Sequence, residues 1–554
     1  MKYIKLVELY EKLESTTKKL KKIDLLSKFL SEVDKELLPA VVLMTLGTVF
    51  PGWSEKELGV GFKLLVKAMS IVSGISANKI EEKIAEEGDV GLAAEKLFKK
   101  RRQVTFITQP LTVEKVYTNL KKVADITGEG AQTRKINLIT DILSLAKPKE
   151  AKYLTRMILE ELRVGVGEGI MRDAIAKAFK VDPKIVERAH MLTNDLGLVA
   201  KVACEKGVEG LKQLSLKPGR PVKPMLAQTA PSIKKAIEEM GKAFCETKYD
   251  GIRVQIHRKN SEIVVFTRRL ENITNAVPDI VDAVEKALPK KDFIVEGEII
   301  GVKNGRPIPF QYLLHRIRRK YEIEKAIKEI PFTLFLFDVL YFENPLIDEK
   351  FENRRKILES ITKTKEGKVE LSRKVEVTCE NIDDAEKLFK ESIEAGHEGI
   401  MIKDPNAPYI PGIRGKKMLK YKAEPETLDL VVIGGDYGEG KRAHLVGSYL
   451  VAARDEDTGE LKPVAHVATG LDDDTLKNLT ERMERIMVNK KGKKIEVEPK
   501  IILEVAFSEI VKSPEYESGY SLRFPVVKRI RDDLSLEDVD TVQRIESMYK
   551  KKFG

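Results

Sequence analysis

Lys248-Tyr249-Asp250-Gly251-Ile252-Arg253 is the segment of this chain whose residue types best suit covalent chemistry. A lysine held on a β framework becomes a nucleophile when desolvation or neighbouring cations favour its neutral amine. Strand-like runs at 245–248 and 253–257 flank Asp250-Gly251, so the spacing predicts a hairpin with that dipeptide at its turn. The glycine allows the backbone to approach a ligand closely. Glu246 stands two residues before the lysine, and strand alternation puts both side chains on one face. Alone, a lysine beside a turn is usually just solvated. The segment gains meaning only with partners.

The elements that must position it change character along the chain. A length of 554 residues implies three or four domains. With 42% hydrophobic and 33% charged residues, the composition is that of a globular protein with a heavily charged surface. No apolar run approaches the roughly 20 residues needed to span a bilayer. The segment Met1-Lys2-Tyr3-Ile4-Lys5 lacks the features of a secretory signal, so the expectation is a cytoplasmic, nucleoid-associated protein without membrane contact. Three scattered cysteines with no CxxC exclude a four-cysteine zinc site and a disulfide scaffold within one chain. Abundant Lys, Glu and Arg with little Cys also fits a thermophile's surface.

The net charge of +11 is unevenly placed. Residues 1–220 carry 39 basic against 29 acidic side chains, and the rest carry 59 against 58. A basic first part joined to a nearly neutral remainder reads either as a polyanion-binding module or as a lysine-rich helical surface. Leu6, Leu9, Tyr10 and Leu13 keep helical spacing, as do Ile139, Ile142, Leu143 and Leu145, so residues 1–217 form an all-α domain. A proline-rich linker near 212–224 ends it. Residues 218–423 mix strand-like runs at 263–267, 293–300 and 333–341 with helices such as 384–395, an α+β domain. From about Glu424-Pro425-Glu426, short strands at 430–433, 448–453, 463–469 and 501–506 alternate with Gly- and Asp-rich turns. That pattern gives residues 424–554 as a small β-barrel of the OB-fold type.

Two glycine-rich runs mislead. Residues 435–442 nearly fit a phosphate-binding P-loop, but Arg442 replaces the Ser/Thr and a strand follows where a helix is needed, so a turn is the better reading. Gly165-Val166-Gly167-Glu168-Gly169 follows a helix at 153–162 instead of a strand, which is wrong for a dinucleotide fingerprint. It opens a helix near Met171. Both a backbone contact to DNA phosphate and a plain helix–helix turn fit it.

Lys248 has partners in a fixed order. Phe266-Thr267-Arg268-Arg269 is followed by Val295-Glu296-Gly297-Glu298-Ile299-Ile300 and Phe335-Leu336-Phe337-Asp338-Val339. Then come Glu398-Gly399-Ile400-Met401-Ile402-Lys403, Leu419-Lys420-Tyr421-Lys422, Arg523-Phe524-Pro525 and Arg529-Ile530-Arg531-Asp532. This series resembles motifs I, III, IIIa, IV, V and VI of ATP-dependent DNA ligases, in particular the archaeal and eukaryotic replicative type. It runs from about Pro221 to Asp532, with Pro224-Met225-Leu226-Ala227 similar to the family's entry to its catalytic domain. The resemblance implies a helical DNA-binding domain, an ATP-grasp-like nucleotidyltransferase (adenylation) domain and an OB-fold.

The residue types suit what the resemblance implies. A triphosphate needs cations, and Arg253, Arg268, Arg414, Lys420 and Lys422 supply them. Mg2+ needs oxygen ligands, for which Glu298 and Glu398 are the natural pair. Phe337 and Met401 offer apolar faces to adenine. By resemblance Glu246 reads adenine, Arg253 and Arg268 meet ribose or DNA phosphate, and Lys420 meets the α-phosphate. Singly, Phe337 reads as core, the acids as surface, and Lys420 with Lys422 as edge-strand alternation. Together and in order they make those bland readings improbable. The last motif departs from the family: Arg531-Asp532-Asp533-Leu534 ends in leucine where lysine is usual, leaving either Arg529 or Arg531 to orient pyrophosphate or a charging step that depends less on that group.

The resemblance implies a monomer that uses ATP and Mg2+ to charge Lys248 with AMP and seal nicks in duplex DNA during replication, repair and recombination. Gln103-Val104-Thr105-Phe106-Ile107 resembles the sliding-clamp contact of archaeal ligases, through Gln103, Phe106 and Ile107. A loop tucking Phe106 into its own core fits equally. Among competitors, an mRNA capping guanylyltransferase shares the Lys-x-Asp-Gly lysine but has no use for the basic helical domain. An NAD-dependent ligase lacks its zinc module here, and a non-catalytic DNA-binding scaffold would have no need of Lys248, Glu298 and Glu398.

Overall fold

The computed structural model describes residues 1–553 apart from residues 55, 100–108, 304, 305, 309, 320, 321, 413, 424, 425 and 439–443. The chain divides into two compact units, Met1–Tyr421 and Lys422–Gly554.

Among the described residues, the elements at the start of the first unit are helices, from Tyr3–Glu14 to Leu196–Lys212. Leu6, Leu9, Tyr10 and Leu13 are all buried, as their spacing requires of one face of a helix. Proline opens the helices Pro148–Ile158 and Pro183–Thr193, where its missing N–H costs nothing. The glycine run at 165–169 leads from Pro148–Ile158 into the helix Glu168–Ala178, whose first two residues it supplies, with Gly165 in the left-handed region at φ 65°. The buried ammonium of Lys22 holds that turn by donating to the Val164 and Gly165 carbonyls, at 2.7 and 2.9 Å.

After the linker, two sheets follow. One is ordered β1 (Leu226–Thr229), β12 (Arg414–Lys422), β11 (Gly399–Lys403), β2 (Lys242–Lys248), β10 (Lys374–Thr378). The other is ordered β4 (Glu262–Thr267), β3 (Ile252–Lys259), β5 (Phe293–Lys303), β7 (Phe332–Phe342), β8 (Asn344–Pro345). Two short strands, β6 (Arg306–Ile308) and β9 (Val369–Leu371), add to β5 and β7. Helices Ile233–Met240 and Ile382–Glu394 bury their apolar faces on the first sheet, around Ala236, Ile237, Ala385 and Leu388. The second sheet packs on Pro278–Ala287 and Phe351–Ile361 through Val284 and Leu358.

This arrangement corrects the expected hairpin. β2 pairs with β10 and β11, and β3 pairs with β4 and β5, so Asp250-Gly251 is a crossing between sheets. The local turn signal was right, but strands 120 or more positions away supply the partners of β2. Glycine is needed at 251 because a Cβ there would stand 2.3 Å from the Ile299 carbonyl oxygen.

The second unit is antiparallel β with an OB-like fold. Its long strand β13 (Thr427–Tyr437) pairs with β14 (Val446–Arg454), β17 (Lys494–Val497) and β18 (Ile502–Ala506). β15 (Leu461–Val467) and β16 (Met487–Lys491) end the strand path, so the curled sheet is not a closed barrel among the described residues. β19 (Glu509–Lys512) and β20 (Tyr520–Arg523) form a separate ribbon, and β21 (Val526–Ile530) pairs with β18. The helix Asp473–Arg485 buries Leu476, Leu479 and Met483, and Asp472 closes its first turn by accepting from the Thr475 N–H. Residues 439–442 of the P-loop-like run lie outside the described residues; around them β13 leads to β14, strand to strand. Among the described residues, no helix is long and apolar enough to cross a membrane.

Candidate active site

Lys248 ends β2, and its Nζ lies 2.6 Å from Glu398 Oε2. The pairing is built into the backbone: Gly399 stands opposite Lys248 in the β11–β2 register, and the Glu398 N–H donates to the Lys248 carbonyl at 3.0 Å. Both side chains are half-buried. Glu298 enters from the other sheet, opposite Arg253 in the β3–β5 register. Burial pushes the Glu298 carboxyl up to about 8; Lys248 and Arg253 oppose this, and the negative charges of Glu398 and Asp250 add to it. Tyr249 braces the crossing, stacked on Phe335 at 4.3 Å and edge-on to His397 at 4.9 Å.

Glu246 and Lys248 do share a face of β2, but their surroundings differ. Glu246 is buried, accepting from Lys403 Nζ at 2.6 Å and Arg355 Nη1 at 3.1 Å. Met401 faces it across β11–β2, half-buried. The Lys403 ammonium lies over the rings of Phe337 and Phe351, 4.7 and 4.6 Å from their centroids. A cavity beside these rings is lined by Arg253, Glu296, Phe337, Lys403, Tyr409 and Met418. Phe337 is thus half-buried at a cavity wall instead of being core.

The other expected residues are less concentrated. Arg253 donates to Glu296 and to the Met225 carbonyl, both at 2.8 Å. Arg268 is exposed in the turn after β4. Lys420, half-buried, and Lys422, exposed, stand on β12, two strands from β2 in the same sheet. Arg414 begins β12; its side chain is outside the described residues. In the second unit, Arg529 pairs with Glu504 at 2.6 Å, and Arg531 with Asp429 and Asp533 at 2.9 and 2.8 Å. Gln103, Phe106 and Ile107 lie outside the described residues.

Sequence reasoning missed Lys403, Arg355, Glu296 and Tyr409. Lys403 could have been found, since alternation along β11 puts it on the face of Met401. Arg355 comes from the helix Phe351–Ile361 and carries no local signal. Among the described residues, no three or more His, Cys, Asp or Glu side chains gather to hold a metal.

Two sheets meeting at a strand-end lysine, with the ordered motifs as far as Lys422 spread along them, have the frame of a nucleotidyltransferase. Family models agree along the chain: "DNA ligase N terminus" matches residues 2–176, "ATP dependent DNA ligase domain" residues 224–422, and "ATP dependent DNA ligase C terminal region" residues 442–534. The chain is 66% identical over 548 residues to a DNA ligase of Methanothermobacter thermautotrophicus strain Delta H, covering 99% of this chain and 98% of that protein. It is 48% identical to a DNA ligase of Archaeoglobus fulgidus, covering 100% and 99% of the two chains. A solved structure titled "Pmar-Lig_Pre." shares the fold, with a TM-score of 0.54 at 18% identity, covering 95% of this chain and 99% of that one. The chain belongs to the ATP-dependent DNA ligases.

Proposed function

We propose that this ligase seals nicks in duplex DNA with Lys248 as its nucleophile. Lys248 Nζ attacks the α-phosphorus of ATP and forms a P–N bond as the bond to pyrophosphate breaks. The AMP then passes to the 5′-phosphate at the nick, freeing the lysine. Attack by the 3′-hydroxyl on that phosphate joins the strand and releases AMP. The observation that supports this most is the place of Lys248, at the end of β2 where the two sheets meet, with Glu398 2.6 Å away and Glu298 opposite Arg253 on the adjoining sheet; a cation held by these acids would draw Glu398 off the ammonium, which must lose its proton before it attacks.

In this reading Glu246 accepts from adenine, Phe337 and Met401 flank the base, and Arg253 and Arg268 take ribose or DNA phosphate. Arg414, Lys420 and Lys422 face the phosphates, and Arg529 or Arg531 orients pyrophosphate. Glu298 and Glu398 would hold Mg2+, which when bound supplies positive charge between the phosphates. Two mutually repelling carboxylates, one with its acid form favoured, suit such a cation. The basic helical domain supplies phosphate contacts independent of sequence. The enzyme acts as a cytoplasmic, nucleoid-associated monomer on breaks left by replication, repair and recombination.

The test is incubation with magnesium and α-phosphate-labelled ATP or GTP, without DNA, followed by denaturing electrophoresis. Acid-labile label from ATP, chased onto nicked DNA and converted to sealed strand, is the expected result. Label from GTP alone would overturn ATP as the donor. No label, in folded protein not already adenylated, leaves the scaffold reading ahead.

Gln103, Phe106 and Ile107 are assigned to a sliding clamp. Phe106→Ala is expected to weaken clamp binding about tenfold or more, as loss of an aromatic anchor does. Unchanged retention on an immobilised clamp would end that assignment.

A further inference from the structure

The linker carries proline at 218, 221 and 224, a three-residue repeat that begins in a tight turn, where the Arg220 N–H donates to the Lys217 carbonyl at 3.0 Å and Gly219 takes a φ of 86°. Each proline is followed by a residue whose N–H is taken by a side chain of the adenylation domain. Gly219 donates to His257 Nδ1 at 3.0 Å, Val222 to Gln255 Oε1 at 2.8 Å, and Met225 to the Tyr409 hydroxyl at 2.9 Å. The intervening positions face the helical domain. The Arg220 guanidinium lies 4.8 Å over the Trp53 ring, and the Lys223 N–H reaches the Met191 carbonyl at 3.4 Å. One edge of the strip touches each domain.

The three acceptors join into one network. His257 accepts from Gly219 at Nδ1, so its proton is on Nε2 and goes to Gln255 Oε1, 2.9 Å away. Gln255 Nε2 donates to Glu296 Oε1 at 3.2 Å, and the Tyr409 hydroxyl donates to the same oxygen at 3.0 Å. The other oxygen, Oε2, accepts from Arg253 at 2.8 Å. Arg253, Gln255 and His257 alternate along β3 and so share a face, with Glu296 directly opposite Gln255. His257, Gln255, Glu296 and Tyr409 are each at most 3% exposed, and such a network holds its geometry because every broken bond strands a buried polar group.

We propose that this relay sets the orientation of Arg253 from the path of the interdomain linker, with Tyr409 as a positioning residue for the sealing reaction. Tyr409 has no need to touch nucleotide or DNA. It ties Met225, whose carbonyl also holds Arg253, to the carboxylate that fixes the guanidinium. A shift of the helical domain on DNA moves the strip, and the strip moves Arg253. The inference rests on the ligase reading, in which Arg253 contacts ribose or DNA phosphate.

A double-mutant cycle tests it. Tyr409→Phe, Arg253→Ala and the pair are compared in single-turnover sealing of nicked DNA, with rates normalised to the adenylation burst so that only active enzyme counts. Thermal unfolding checks each fold, and Arg253→Lys replaces the alanine background should that variant not fold. Tyr409→Phe is expected to slow sealing about tenfold when Arg253 is present, the scale of a hydrogen bond to a charged group. In the Arg253 variant it is expected to slow sealing less than about twofold, because a residue acting through Arg253 has nothing left to position. A merely structural tyrosine multiplies the two losses, and that result overturns the inference while leaving the ligase reading intact. Wild-type protein that takes no label from ATP overturns both.

Discussion

Lys248→Ala is expected to leave no detectable enzyme–AMP and to lower sealing of a 5′-phosphorylated nick by on the order of 10⁴-fold or more, the scale of removing a covalent nucleophile. The loss has to be confined to the steps that need the amine. A nick carrying a ready-made 5′-adenylate bypasses them, since only the 3′-hydroxyl then attacks. Lys248→Ala is therefore expected to seal that substrate within about tenfold of wild type. Lys248 stands at a strand end, half-buried, with its ion pair to Glu398 as the main interaction lost. Removing a half-exposed pair costs little stability, about 1 kcal/mol or less, so unfolding does not explain the expected defect. Normal enzyme–AMP formation by the alanine variant would sink the assignment of Lys248. Equal losses on both substrates would mean that the lysine holds the site together instead of carrying AMP.

What was legible in the sequence was mostly local or ordered. Leu6, Leu9, Tyr10 and Leu13 announce a helix because one face must be buried, and the fold buries all four. The motif series was legible because each short run of strand carries its polar residue at a fixed place. Pairing was not legible. Asp250-Gly251 has the chemistry of a hairpin turn, yet β2 finds its partners at 374–378 and 399–403, and no local rule reaches that far. The same distance hid the environment of Glu246, whose Arg355 and Lys403 partners lie 109 and 157 positions away. The prolines at 218, 221 and 224 read only as a stiff linker. That the residue after each one donates to a buried side chain follows from β3 and Tyr409, which comes from the segment between β11 and β12, lying alongside, which is a fact of tertiary structure.

Glu298 offers the other large effect, and its sign follows from its surroundings. Burial and neighbouring negative charge hold its carboxyl up to about 8, so near pH 7 the nucleotide-free enzyme keeps a proton there that a metal ligand cannot keep. Magnesium binding at pH 7 is expected to release a proton from this group, and at pH 9 almost none. Below pH 8 the metal affinity is expected to rise by up to about tenfold per pH unit, then to level off. Calorimetry in buffers of different ionisation enthalpy reads the proton directly, without relying on activity. Glu298→Gln keeps the shape of the side chain, so the proton release that disappears in this variant belongs to Glu298. Its adenylation rate is expected to fall on the order of 10²–10³-fold, as when one charge-stabilising group is removed from a transition state. Proton release unchanged in the glutamine variant would show that the titrating group is another one. Metal affinity independent of pH from 6.5 to 9, with wild-type adenylation by the variant, would remove Glu298 from the metal site. Glu398, already paired with Lys248, would then have to hold the cation alone.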